Sequence, residues 1–122
     1  MKKFAKLLSA CLLTIMVAVL LVGCIPANAE KAVTKMKEEG YSVEMIEKDY
    51  LPDDCEEGII ATDIEISLSN FNADTISVYW FESKKAAKKY YEELEETSST
   101  IKKIKGKCVY IGTADAIEDF EE

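Results

Sequence analysis

Asp53, Asp54, Glu56 and Glu57 place four carboxylates in five positions just ahead of Gly58. Such a cluster of oxygen ligands is what a hard cation requires. With Gly58 taken as the central glycine of an EF-hand-type loop, Cys55 falls at the third position and Ile64 at the twelfth. Both positions need an oxygen ligand, so the motif fails and the segment reads as a solvated acidic loop with no metal assigned. Cys55 and Cys108 could act as nucleophiles, but the chain has no histidine to activate them. That absence also removes the usual general base and the commonest metal ligand. No arginine is present to clamp a phosphate or carboxylate through two parallel hydrogen bonds. No cofactor is implied. The remaining charged constellation is Lys84, Lys85, Lys88 and Lys89, followed by Glu92, Glu93, Glu95 and Glu96. The four lysines form either a solvated face or a docking patch for an anionic partner such as a wall polymer or a phospholipid. Tyr79, Trp80 and Phe81 are adjacent aromatics, a grouping more often found in a core than at a site.

The first residues carry a second kind of chemistry. Lys2, Lys3 and Lys6 precede a run from Leu7 to Val22 that is apolar apart from Ser9 and Thr14. A positive start followed by an apolar stretch is an export signal. It closes on Leu21, Val22, Gly23 and Cys24, which resembles the lipobox of bacterial lipoprotein precursors. The resemblance covers residues 1–24 alone. It implies removal of 1–23, a diacylglycerol on the Cys24 thiol, and an extracytoplasmic domain held to the cell membrane. Leu8, Ser9, Ala10 and Cys11 spell a similar motif, but almost no apolar run precedes it. Two other outcomes stay open. Ala27, Asn28 and Ala29 form an A-x-A site whose cleavage would release a chain starting at Glu30. Alternatively, the 19 residues from Leu7 to Ile25 could stay as a membrane anchor.

With cleavage before Cys24, residues 24–29 are a short tether and 30–122 one small domain, long enough for a modest core. All 23 acidic residues and twelve of the fifteen lysines lie beyond the signal, leaving a charge of −11. Such a domain repels nucleic-acid phosphates. An anionic bilayer also repels it as a whole, so the expected attachment is the lipid, since two acyl chains anchor stably.

The spacing of Ala29, Ala32, Val33 and Met36 predicts a helix over 30–39, closed by a left-handed Gly40 with Tyr41 folded back onto Met36. A strand over 43–48 and an acidic loop over 49–58 follow. Ile60, Thr62, Ile64, Ile66 and Leu68 alternate with Ala61, Asp63, Glu65 and Ser67, predicting a strand that buries the first set. A turn over 70–74 and a strand over 75–81 complete an antiparallel hairpin. Ser83 caps a helix over 84–96, whose lysine-then-glutamate order opposes the helix dipole. The pairs Lys88–Glu92 and Lys89–Glu93 recover part of that cost, and packing of the Ala86, Ala87, Tyr90, Tyr91 and Leu94 stripe must supply the rest. A polar connection over 98–106, a last strand over 107–111 and a helix over 114–120 capped by Thr113 end the chain.

The expected fold is an α+β two-layer sandwich, order α-β-β-β-α-β-α. Its mixed four-stranded sheet carries helices mainly on one face, and its last connection is a right-handed parallel crossover. That topology puts Cys55 and Cys108 at opposite sheet ends and favours two separate thiols over a disulfide. The expected function is a non-catalytic binding or interaction module whose partners are the membrane, through Cys24, and an envelope protein or wall component. A secreted modulator and an enzyme using carboxylates or Ser–Lys chemistry are the alternatives.

Overall fold

The computed structural model describes residues 25–66 and 71–122. The signal segment, Cys24, and the expected strand positions Ser67 and Leu68 lie outside the described residues. The described chain is α+β, with one open antiparallel sheet of five strands and three α-helices. The helices are α1 (Ala29–Glu38), α2 (Lys84–Glu93) and α3 (Ala114–Glu121). The strands are β1 (Ser42–Met45), β2 (Cys55–Ile66), β3 (Phe71–Phe81), β4 (Ile101–Lys105) and β5 (Cys108–Gly112), arranged β1-β2-β3-β5-β4.

Local signals place the helices. Asn28 accepts a hydrogen bond from the Lys31 amide at 2.9 Å and starts α1. Gly40, at φ +98°, ends it. The Tyr41 amide then reaches the Met36 carbonyl (2.9 Å) and the Gly40 amide the Lys37 carbonyl (3.0 Å), the two bonds of a Schellman ending. The Ser83 hydroxyl accepts from the Ala86 amide (3.1 Å) at the start of α2. Thr113 precedes α3 without capping it. Its hydroxyl instead donates to Asp74 (3.1 Å), tying α3 to β3.

Three expectations about the sheet need correction. The sheet has five strands, not four, and every pairing is antiparallel. The extra strand is β4, within the segment expected to be a polar connection. Three lysines in Ile101–Lys105 hide its alternation, as suits an exposed edge strand. Gly106, at φ +60°, turns β4 directly into β5, so β5 runs against β3 and no parallel crossover joins them.

Second, the helices occupy both faces. α1 and α3 cover one, with Ala32, Met36, Ile117 and Phe120 packed on Ile59, Ile76, Val78 and Tyr110. α2 covers part of the other, packing Ala87, Tyr90 and Leu94 over Phe81, Val109 and Tyr79. The result is three layers, with β3 buried on both sides where the helices overlap.

Third, β2 faces the opposite way from its expected alternation. Ile59 and Ala61 are buried under α1, whereas Ile60 is 41% and Ile64 55% exposed on the face that α2 leaves open. Register with β3 decides this, because Ile59 pairs with Val78 and Ala61 with Ile76, whose side chains enter the main core. β2 also starts earlier than expected, at Cys55 with a bulge before Glu57, and β3 at Phe71. The two strands therefore outrun their neighbours. β1 pairs only with residues 59–62 and β5 only with residues 76–80, so 63–66 and 71–74 pair with each other alone.

Gly112 marks the tightest packing in the sheet. A Cβ there would lie 2.3 Å from the Thr75 carbonyl oxygen and 2.7 Å from the Ile76 Cα, both backbone atoms that cannot swing aside. Around Gly58 the closest neighbour is the flexible end of Leu51, at 2.9 Å. Gly112→Ala is expected to cost about 3 kcal/mol and Gly58→Ala about 1 kcal/mol, read from urea denaturation midpoints. Equal midpoints would refute the close β3–β5 approach.

Candidate functional site

The α2 lysines, read in the sequence as either a solvated face or a docking patch, lie close together on one helix. Lys84, Lys85, Lys88 and Lys89 are all exposed on the first turns of α2. Neither Lys88–Glu92 nor Lys89–Glu93 closes as an ion pair. β3 ends at Phe81, whose amide bonds the Lys107 carbonyl (2.8 Å). The start of α2 therefore sits at the same sheet end as the β4–β5 turn. Lys105 and Lys107 on that turn extend the basic surface. A cleft of about 410 Å³ opens between α2 and β4, lined by Lys84, Lys88, Tyr91, Glu92, Ile104 and Gly106. The hairpin lysines went unassigned in the sequence because their strand did; the glycine between Lys105 and Lys107 was the available signal.

Lys102 resolves the adverse charge order of α2. Its ammonium donates to the Tyr91 and Leu94 carbonyls, each at 2.9 Å, and stands 4.4 Å from the Tyr91 ring centroid. A cation from β4 thus supplies the positive charge that the C-terminal turn of α2 lacks in its own sequence. The Glu96 carboxylate accepts from the Lys102 amide at 3.1 Å and holds the strand in place.

A second surface lies on the open half of the α2 face. Ile60 and Ile64 stand out there beside Thr62 and Thr75, whose hydroxyls approach to 3.5 Å. This is an exposed apolar strip on the sheet. Trp80 and Phe81, by contrast, are buried on opposite faces of the sheet.

The carboxylates are placed differently from the expected acidic loop. Asp53 and Asp54 are exposed, while Glu56, Glu57 and Gly58 belong to β2, so no loop wraps a cation there. Glu121 accepts from the Tyr110 hydroxyl (2.5 Å) and from Lys103 (3.1 Å). Its partial burial favours the neutral acid, but Tyr110 and Lys103 outweigh that and hold its carboxyl below the ordinary value of 4.5. Asp119 accepts from the Tyr41 hydroxyl (2.8 Å) and lies with Glu39 and Glu122 in a group whose oxygens are within 4.8 Å of one another. Lys35 donates to the Glu122 carbonyl beside it. The Asp119 and Glu122 contacts depend on α1 meeting α3 and those of Glu121 on α3 meeting β4 and β5, so none was visible in sequence spacing.

Cys55 and Cys108 are free thiols. The reason differs from the expected one, because both lie at the same sheet end. Cys55 pairs opposite Phe81 and Cys108 opposite Trp80, so β3 separates them, by about 10 Å across two strand spacings. Burial pushes the Cys55 thiol up to about 11 and the Cys108 thiol up to about 12. Both are therefore protonated and weakly nucleophilic near neutral pH.

No protein-family model, curated protein or solved structure matches this chain. The arrangement offers a basic surface, an apolar strip and internally paired carboxylates.

Lys102→Met is expected to lower stability by about 1–2 kcal/mol, measured by denaturant titration, because it strips the α2 carbonyls of their cation. An unchanged midpoint would mean that water replaces Lys102 at no cost. For Glu121, a depressed folded-state value means that its stabilisation is present above 4.5 and lost as pH falls through the folded-state value. Glu121→Gln should therefore flatten the loss of stability below pH 4.5. An acid titration of unfolding free energy with parallel curves would refute this.

Proposed function

We propose that this chain is an extracytoplasmic lipoprotein, anchored to the cell membrane through Cys24, whose acidic domain is a non-catalytic binding module. The observation carrying this reading is the use the fold makes of residues 25–28. Ile25 packs against the main core, and the Pro26 carbonyl accepts from the Trp80 indole nitrogen (3.2 Å). Asn28 caps α1, and the Ala29 amide reaches the Glu57 carboxylate (3.4 Å). Cleavage after Ala29 would delete these contacts, the cap alone being worth about 1 kcal/mol. Cleavage before Cys24 leaves them whole and puts the lipid one residue from the packed Ile25. Among the described residues no helix is long and apolar enough to cross a membrane, so attachment through them would need another device.

The binding part of the reading draws on the exposed strip at Ile60 and Ile64, an apolar surface of the type that partners cover. Its non-catalytic part draws on the residue set. The chain lacks histidine, the two free thiols are held protonated, and Glu121 and Asp119 are committed to tyrosine hydroxyls.

Mass spectrometry of the N-terminal peptide in membrane and medium fractions tests the proposal. A diacylglyceryl-modified Cys24 in the membrane fraction is expected. A free Glu30 terminus in the medium would overturn it in favour of a secreted modulator.

A further inference from the structure

The tether and the lysines meet at one end of the sheet. Pro26 is fixed to Trp80, and Trp80 pairs directly with Cys108, the residue after Lys107. The first turn of α2, with Lys84 and Lys85, begins three residues beyond Phe81 at that same end. Eight of the twelve lysines after Cys24 lie on α2 and the β4–β5 hairpin, and residues 97–113 contain no carboxylate at all. The ammonium groups of Lys84, Lys85, Lys88, Lys89 and Lys107 form no hydrogen bond or ion pair among the described residues, so their charge is available to an outside partner. Asp53, Asp54, Glu56, Glu57 and Glu82 share this end, but on the β2 side and the β3–α2 junction, across the sheet from β4. The two charges meet where Lys89 lines a cleft with Asp53 and Asp54; away from it the end carries an acidic edge beside β2 and a basic edge formed by Lys84, Lys85, Lys88, Lys105 and Lys107.

We infer that the basic edge lies on the anionic phospholipid headgroups of the membrane that holds the chain, so that the domain is tilted in one orientation rather than swinging on its anchor. This rests on the reading of residues 1–24 as a membrane address. The fold leaves no slack between the bilayer and the sheet end, because the chain is packed from Ile25 onward. That end must sit within reach of the headgroups. The lysine edge is the part of it that an anionic surface attracts most strongly, and the acidic edge turns away. Each lysine near such a surface is drawn to it individually, even though the domain carries −11 overall, because screening confines the interaction to about a Debye length. A polyanionic wall polymer offers the same charge. The membrane is the occupant argued for because the tether, held to Trp80 and Glu57, keeps this end of the sheet close to it.

The test uses the full chain, purified from membranes in detergent and reconstituted into vesicles of phosphatidylcholine alone or mixed with phosphatidylglycerol. Brief amine acetylation is then mapped by peptide mass. On anionic vesicles, labelling of Lys84, Lys85 and Lys107 should fall about fivefold relative to neutral ones and recover in high salt. Lys37, at the far end of α1, should be unaffected. The K84E/K85E/K107E variant should lose salt-sensitive protection at Lys88 and Lys89 while keeping its denaturation midpoint. Equal labelling on both vesicle types would overturn the inference. So would protection by soluble poly(glycerol phosphate) without any vesicle effect, which would assign the edge to a wall polymer. The Cys24 peptide mass reports the anchor separately. An unmodified Cys24 with protection retained would remove the lipid and leave the docking standing, because the apolar segment still tethers the chain. A lipidated Cys24 without protection would remove the docking alone.

Discussion

Burial of β3 on both faces is the constraint from which the rest of the architecture follows. Ile76, Val78 and Trp80 must be covered on one side and Tyr79 and Phe81 on the other. A single helical layer cannot do both, so α2 crosses to the face that α1 and α3 do not reach. The ring contacts Tyr79–Tyr90 at 5.2 Å and Tyr110–Phe120 at 4.9 Å lie one on each face of the sheet. The bare glycine at position 112 lets β5 close against β3 without displacing Thr75 or Ile76. With β3 fixed in this way, the register of β2 is also fixed, and Ile60 and Ile64 face outward because their neighbours Ile59 and Ala61 are needed inside.

That dependence marks the limit of what the residues reveal one segment at a time. The helices were legible because their signals are local: the Asn28 and Ser83 side chains, the left-handed Gly40, and apolar residues at helical spacing. The hairpin was legible for the same reason. The buried side of β2 was not, because Ile59–Ile60 and Ala61–Thr62 allow either phase and only pairing with β3 chooses between them. β4 was hidden because its lysines face two different tasks: Lys102 neutralises the end of a helix, and Lys103 pairs with Glu121. Neither role can be read without knowing what lies across the fold. Of the candidate site, the α2 lysines were visible as a charge run, whereas their hairpin companions, and the sheet end they share with residues 25–28, are products of topology.

The charges of this domain are sorted rather than mixed. Carboxylates dominate α3, the β1–β2 connection and the end of α2. The β4–β5 hairpin carries only lysines. The helix that seemed wrongly charged for its own dipole is complemented by a strand brought beside it, so its lysines are left at the opposite end to face outward. A locally unfavourable sequence thereby becomes a polarised molecule with one basic edge.

The overhang of β2 and β3 beyond their neighbours gives the molecule a gradient of order along a single strand. Residues 76–80 of β3 have partners on both sides, whereas residues 71–74 have one. Amide protons should therefore exchange with solvent slowly in the first stretch and rapidly in the second, without any break in the strand. The fold is firmest around Trp80 and loosest toward residues 63–66 and 71–74, where a ribbon of two strands can flex while the sheet behind it stays still.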